Sequence, residues 1–122
     1  MVTKEQIKTG LMKFLEEEVI PVIEDKNLQI ILALGSEVLK ANDSFLDNIL
    51  KNQMVTALFP YSEGKWDTKG FKLLINTLEK FGGLRVTVPA IPFISPTEKE
   101  LKFTVNDIKK IESLISQQEQ AK

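Results

Sequence analysis

The sequence predicts an α+β domain that is mostly helical, with four or five helices and a small antiparallel strand pair just before the C-terminal helix. Two observations carry this. Apolar residues recur at three- and four-residue spacing through most of the chain, and they alternate with polar ones only in LRVTV (84–88) and LKFTV (101–105). Signals that open and close helices punctuate the same segments, and no repeat or linker divides residues 1–122.

Thr3 with Gln6 three residues on forms a capping box, and Val2 can staple onto Ile7, so a first helix opens there with Ile7, Leu11, Met12, Phe14 and Leu15 along its stripe. Pro21 cannot donate to the Glu17 carbonyl, so this helix ends near Val19 or continues kinked to about Ile23. In LQIILALGSEVLK (28–40) a wide apolar arc predicts a central, well-covered second helix, with Gly35 admitting a close neighbour. Asp43 caps a third helix that turns Phe45, Leu46, Ile49 and Leu50 inward, and Met54, Val55 and Leu58 mark a further turn or short helix before Pro60.

Residues 59–70, FPYSEGKWDTKG, read as a loop rich in chain breakers. Asp67 then caps a helix over 68–81 with the stripe Phe71, Leu74, Ile75, Leu78 and Phe81, which Gly82 or Gly83 stops. Two half-buried strands follow, joined by a proline-containing connection that is irregular or holds a short extra strand near Phe93. Thr104 with Asp107 caps the last helix, whose core face is Ile108, Ile111, Leu114 and Ile115, and the polar tail 117–122 is expected to fray.

Composition excludes several function classes. A chain of 122 residues with 43% apolar and 27% charged residues is an ordinary globular one. Cysteine is absent, which removes disulfides and thiol chemistry. Histidine is absent too, which removes imidazole bases, Ser-His-Asp triads and His-ligated metals. The N-terminus lacks the apolar core of a signal peptide, and the longest apolar run, Ile30 to Leu34, is far short of the ~20 residues that span a bilayer. A cytoplasmic protein is expected. The first fifty residues hold nine acids and five bases (net −4), the remainder eight acids and eleven bases (net +3). That asymmetry favours assembly but falls short of a non-specific nucleic-acid binder.

Candidate sites are few. Glu16, Glu17 and Glu18 with Glu24 and Asp25 form the densest acidic run, but neighbours on a helix diverge by about 100°, so it reads as a solvated face and not a cation site. Gly82-Gly83 follows a helix, the reverse of a phosphate-binding turn, and Asn42-Asp43-Ser44 reads as a cap and not a glycosylation site. No catalytic, cofactor-binding or metal-binding residue is predicted. Phe59, Tyr61 and Trp66 are candidate partner-binding residues of the breaker-rich loop, although Trp66 would also suit a staple with Phe71.

The helix, double glycine and strand pair also permit a winged-helix-like DNA-binding regulator, in which helix 68–81 presents Lys69, Lys72, Asn76 and Lys80, with Arg85 on the 84–105 strand pair. Against it stand Glu79 on the same surface, the presence of a single arginine, and the long segment preceding the helix.

Three stretches, TKEQIKTGLMKFLEEEVIP (3–21), LDNILKNQMV (46–55) and LKFTVNDIKKIESLI (101–115), make the chain resemble small proteins encoded in prophages of low-GC Gram-positive bacteria. The resemblance implies a phage-related, non-enzymatic role, in the cytoplasm of a bacterial host cell or associated with the virion, and brings no site residues with it. The expected function is therefore a structural or accessory protein that contacts a protein partner or itself as an oligomer, with no membrane, cofactor or small-molecule substrate.

Overall fold

A computed structural model describes residues 1–120. Helix α1 (Lys4–Lys13) opens on the expected box: the Gln6 amide donates to Thr3 Oγ1 (3.2 Å) and the Thr3 amide to Gln6 Oε1 (2.9 Å). Val2 and Ile7 are both buried in the same cluster. Beyond Lys13 the helix widens into a π-helical stretch, Phe14–Val19, in which the Ile20 amide reaches back to the Leu15 carbonyl, and then tightens into a 3₁₀ turn, Ile20–Val22. Proline at position 21 has no N–H to continue the ladder, so this change of pitch brings the helix to its end.

Helix α2 (Lys26–Ala41) is capped by Asp25, whose carboxylate accepts the amides of Asn27 (3.0 Å) and Leu28 (3.2 Å). Helices α3 (Ser44–Leu50) and α4 (Gln53–Leu58) are short. Helix α5 (Gly70–Phe81) ends on left-handed Gly82, a conformation that favours glycine because it has no Cβ to clash. Helix α6 (Val105–Gln120) starts at the predicted cap, where the Thr104 amide donates to Asp107 Oδ2 (2.8 Å) and the Asp107 amide to Thr104 Oγ1 (3.3 Å).

Strands β4 (Leu84–Val88) and β5 (Lys99–Phe103) pair antiparallel with Leu84 opposite Phe103 and Val88 opposite Lys99, directly before α6. The chain is thus α+β and mostly helical, as its periodicities predict. A second small sheet has the order β1 (Val2–Thr3), β3 (Lys65–Trp66), β2 (Tyr61–Ser62), all antiparallel.

The centre of the molecule is the α1–α6 pair. Gly10 lies against Ile115 so closely that a Cβ there would stand 2.7 Å from Ile115 Cγ1. Around this contact Val2, Ile7, Leu46, Leu50, Trp66, Phe71, Leu78, Ile108 and Ile115 form one buried cluster, while Phe14, Val19 and Leu114 form a second. Ile111 packs against both.

Several expectations are corrected here. Helix α2 is peripheral and not central: of its residues only Leu28 and Ser36 are buried, Ile30, Leu34 and Val38 stand exposed at four-residue spacing, and Gly35 has nothing within 4 Å. The close approach predicted at Gly35 occurs at Gly10. In α3, Leu46 and Leu50 are buried but Phe45 and Ile49 are exposed, because adjacent helical positions point about 100° apart and only one pair faces the core. Phe81 is likewise exposed, and so are Leu84 and Val86 of β4.

Residues 59–70 are not an open loop, since they hold the β2–β3 hairpin, closed by Glu63 and Gly64, both at positive φ as a type I′ turn requires. Helix α5 begins at Gly70, later than expected. Asp67 Oδ1 accepts the Lys69 amide (2.9 Å) in a local turn, and Gly70 presses against Leu58, whose carbonyl oxygen would lie 2.0 Å from an added Cβ. Asp43 does not cap α3, because Lys8 and Lys4 claim its carboxylate at 2.7 and 3.3 Å, and Asn42 Oδ1 accepts the Ser44 amide instead. Of the tail expected to fray, 117–120 continue α6: Gln6 Nε2 donates to the Gln118 carbonyl (3.2 Å) and Glu119 pairs with the Met1 amino group. Residues 121–122 lie outside the described residues.

Candidate functional site

The three aromatic residues proposed as partner contacts occupy different environments. Trp66 sits in β3 between the two neighbouring strands, opposite Val2 on one side and Tyr61 on the other, and is buried. Its indole Nε1 is also buried and meets no hydrogen-bond partner among the described residues. Phe59 is half-buried and meets Phe71 edge-on, with ring centroids 4.9 Å apart. Tyr61 alone is exposed, lying over Trp66 at 4.7 Å between centroids. Trp66 and Phe71 share the main core cluster, although Asp67 is not the helix cap that a staple would require. Period-two alternation is invisible in two-residue strands, and for that reason the sequence did not reveal this placement.

Trp66 and Leu50 also line two neighbouring cavities. One, of about 410 Å³, has a wall of apolar atoms supplied by α1, α3 to α6 and β4, among them Leu11, Phe59, Leu74 and Ile111. Ile49 and Leu84, both exposed, lie at its edge. The other, of about 400 Å³, has a mixed lining in which Lys4, Asp47, Lys51, Thr56, Tyr61 and Gly64 join Leu50 and Trp66.

Lys72, Asn76 and Lys80 on α5 and Lys69 just before it are exposed, as the DNA-binding alternative requires, and Glu79 stands among them. Arg85 is exposed but lies 3.6 Å from Glu100 across the ladder. The β2–β3 hairpin intervenes between α4 and α5, so no short turn joins two helices at this point.

The acidic residues are dispersed among separate cations. Glu16 pairs with Lys40 and accepts from Ser36 Oγ (3.1 Å), and Glu18 lies 3.5 Å from Lys110. Asp25 pairs with Lys99 at 2.8 Å. The Lys40 ammonium, helped by Ser36, holds Glu16 below its ordinary pKa. Lys99 and the Leu28 amide do the same for Asp25, and Lys8 with Lys4 for Asp43. The last two pairs named across the halves, Glu18 with Lys110 and Asp25 with Lys99, join the acidic first part of the chain to the basic second part. Among the described residues no three carboxylates converge on a point where a metal ion could sit.

The connection between β4 and β5, expected to be irregular or to hold a short extra strand near Phe93, is an ordered turn around that residue. Ile91 and Ser95 pair through two backbone bonds, 2.8 and 2.9 Å, and the Ile94 amide donates to the Ile91 carbonyl at 3.2 Å. Ser95 is wholly buried and its hydroxyl donates to the Thr97 carbonyl (3.0 Å). At the top of this ordered turn Phe93 has φ +69° and a completely exposed ring. Pro92 at the second turn position and positive φ at the third are the pattern of a type II turn, whose third residue is ordinarily Gly or Asn. Pro92 is a readable turn signal, but nothing local announces that a phenylalanine would occupy the left-handed position.

No helix among the described residues is long and apolar enough to cross a membrane. Compared with protein-family models, with curated protein sequences and with solved structures, the chain matches none.

Proposed function

We propose that the protein acts through protein–protein contact, as a non-enzymatic structural or accessory component of the phage class, and that the Ile91–Ser95 turn is its presenting surface. The carrying observation is Phe93. A non-glycine residue in the left-handed region costs about 1–2 kcal/mol, and a bare phenyl ring in water returns none of it. Strain of this kind points towards function when the surrounding structure enforces it, and here the paired backbone bonds and the buried Ser95 do so. A rigid turn holding an aromatic outward loses little conformational entropy on docking, which is how interface anchors gain their affinity.

The exposed stripe Ile30, Leu34 and Val38 on α2 offers a second apolar tract for the same purpose. The DNA-binding alternative has less support: Glu79 interrupts the lysine surface and Arg85 is engaged by Glu100.

The test combines sedimentation velocity of the purified protein with affinity capture from a host in which the phage genes are expressed, comparing the parent with Phe93→Ser. Complex or oligomer formation by the parent is expected. Loss of one anchor ring should weaken it about 30-fold, the equivalent of ~2 kcal/mol, while the melting temperature stays level or rises. A parent that remains monomeric and captures nothing, or a variant that assembles equally well, refutes the reading.

A further inference from the structure

We propose that the two cavities beside Trp66 together bind one single-chain amphiphile with an anionic head, its hydrocarbon tail in the apolar cavity and its head at Lys51 in the neighbouring one. Each half of this assignment rests on its own observation. The apolar cavity, about 410 Å³, falls within the range of small-molecule sites, roughly 300–1,000 Å³. Its wall offers water no hydrogen bonds, and apolar cavities far smaller stay dry yet take up apolar ligands. A hydrocarbon tail is the occupant such a wall selects. Exposed Ile49 and Leu84 at its edge supply an apolar entrance.

The second cavity shares Leu50 and Trp66 with it. The charges that face it are Lys4, Asp47 and Lys51. Lys4 is committed to Asp47 at 3.2 Å and to Asp43 at 3.3 Å, and Asp43 is held in turn by Lys8. Those two lysines and two aspartates balance, so Lys51, which has no carboxylate partner among the described residues, leaves the second cavity with one positive charge. Tyr61 belongs to the same wall, and its side chain carries a hydroxyl able to donate to a head group. An apolar cavity beside one that carries an unpaired lysine selects an acyl tail ending in an anion over a neutral oil or a cationic detergent. Phe93 borders neither cavity, so this site is independent of the proposed contact surface.

Free fatty acids and monoacyl phospholipids share this chemistry, and the titrations separate them. Dodecanoate, lysophosphatidylglycerol and dodecyltrimethylammonium are each added to the full chain below micelle-forming concentrations. Binding is read by calorimetry and by the emission of Trp66, the sole tryptophan. Expected is saturable one-to-one binding of dodecanoate at least tenfold tighter than of dodecyltrimethylammonium. Lysophosphatidylglycerol matching or exceeding dodecanoate assigns the site to the lipid, and weaker binding assigns it to the free acid. Lys51→Glu, an exposed substitution, should abolish the preference for the anion. Leu74→Phe, which narrows the apolar cavity, should weaken every ligand at least tenfold. Should Leu74→Phe fail to fold, the Lys51→Glu comparison decides alone. Absence of saturable binding, equal affinity for the cationic detergent, or an unchanged preference in Lys51→Glu overturns the proposal, whatever becomes of Phe93.

Discussion

Replacing Gly10 and Gly35 by alanine, one at a time, should move stability in opposite directions. Both glycines lie inside helices, where alanine is intrinsically better by about 0.8–1 kcal/mol. At position 35 nothing lies within 4 Å of the added methyl group, so Gly35→Ala should realise that gain in full, about 1 kcal/mol. At position 10 the methyl group would stand 2.7 Å from Ile115 Cγ1 and 3.1 Å from both the Cα and the amide nitrogen of Ile115. The side-chain atom could swing away, but the two backbone atoms belong to the α6 ladder and move only if the helices separate. Forced overpacking costs about 1–3 kcal/mol, so Gly10→Ala should be destabilising by about 1 kcal/mol net after the propensity gain. The two variants should then differ by about 2 kcal/mol, or roughly 6–10 °C in melting temperature for a chain of this length. Urea unfolding followed by far-ultraviolet circular dichroism and by Trp66 fluorescence measures this. A Gly10→Ala protein as stable as Gly35→Ala would refute the intimate α1–α6 packing.

Two further outcomes are expected. Thr104→Ala removes the acceptor for the Asp107 amide at the start of α6 and should cost about 1 kcal/mol, read from the shift in the urea midpoint. The carboxylates of Asp43, Asp25 and Glu16 all have depressed pKa values in the folded state, so their contribution is present above the ordinary carboxylate range, about pH 4, and is lost as pH falls through the depressed values. Lys4 and Lys40 are raised by their carboxylate partners, so their contribution is present below the ordinary lysine range and lost as pH climbs through the raised values. Urea midpoints should therefore be flat from about pH 5 to 9 and decline on either side. Added salt should shrink both declines, since these groups lie near the surface. A marked change near pH 6.5 would contradict the assignment, because no histidine is present to titrate there.

What was legible in the sequence is what local rules govern. Thr3 with Gln6 and Thr104 with Asp107 cap their helices as spacing predicts, and Gly82 ends α5 in the left-handed conformation. Periodicity shows which residues share a face but not which face meets a neighbour. The apolar arc of α2 therefore reads as central, although Ile30, Leu34 and Val38 remain bare. Phe45 and Leu46 are equally apolar neighbours of which only Leu46 finds the core. Trp66 escaped for a different reason, because its burial depends on pairing with Val2 far away in the chain. Of the candidate site, the aromatic composition of 59–70 was visible, but the cavities beside Trp66 arise from elements contributed by both ends of the fold.

The pairing of α1 with α6 bears on how the nascent chain acquires its structure. The ribosome delivers α6 after every other element described, so Ile7, Leu11 and Phe14 spend most of synthesis without their partner. Closing so long a loop costs only slightly more than closing a shorter one, because the entropy grows with the logarithm of length, but contacts so distant in sequence slow the search. The β4–β5 hairpin with its flanking helices α5 and α6 is contiguous and can assemble first, leaving a prepared seat onto which the oldest helix docks last. Birth order and docking order are thereby reversed.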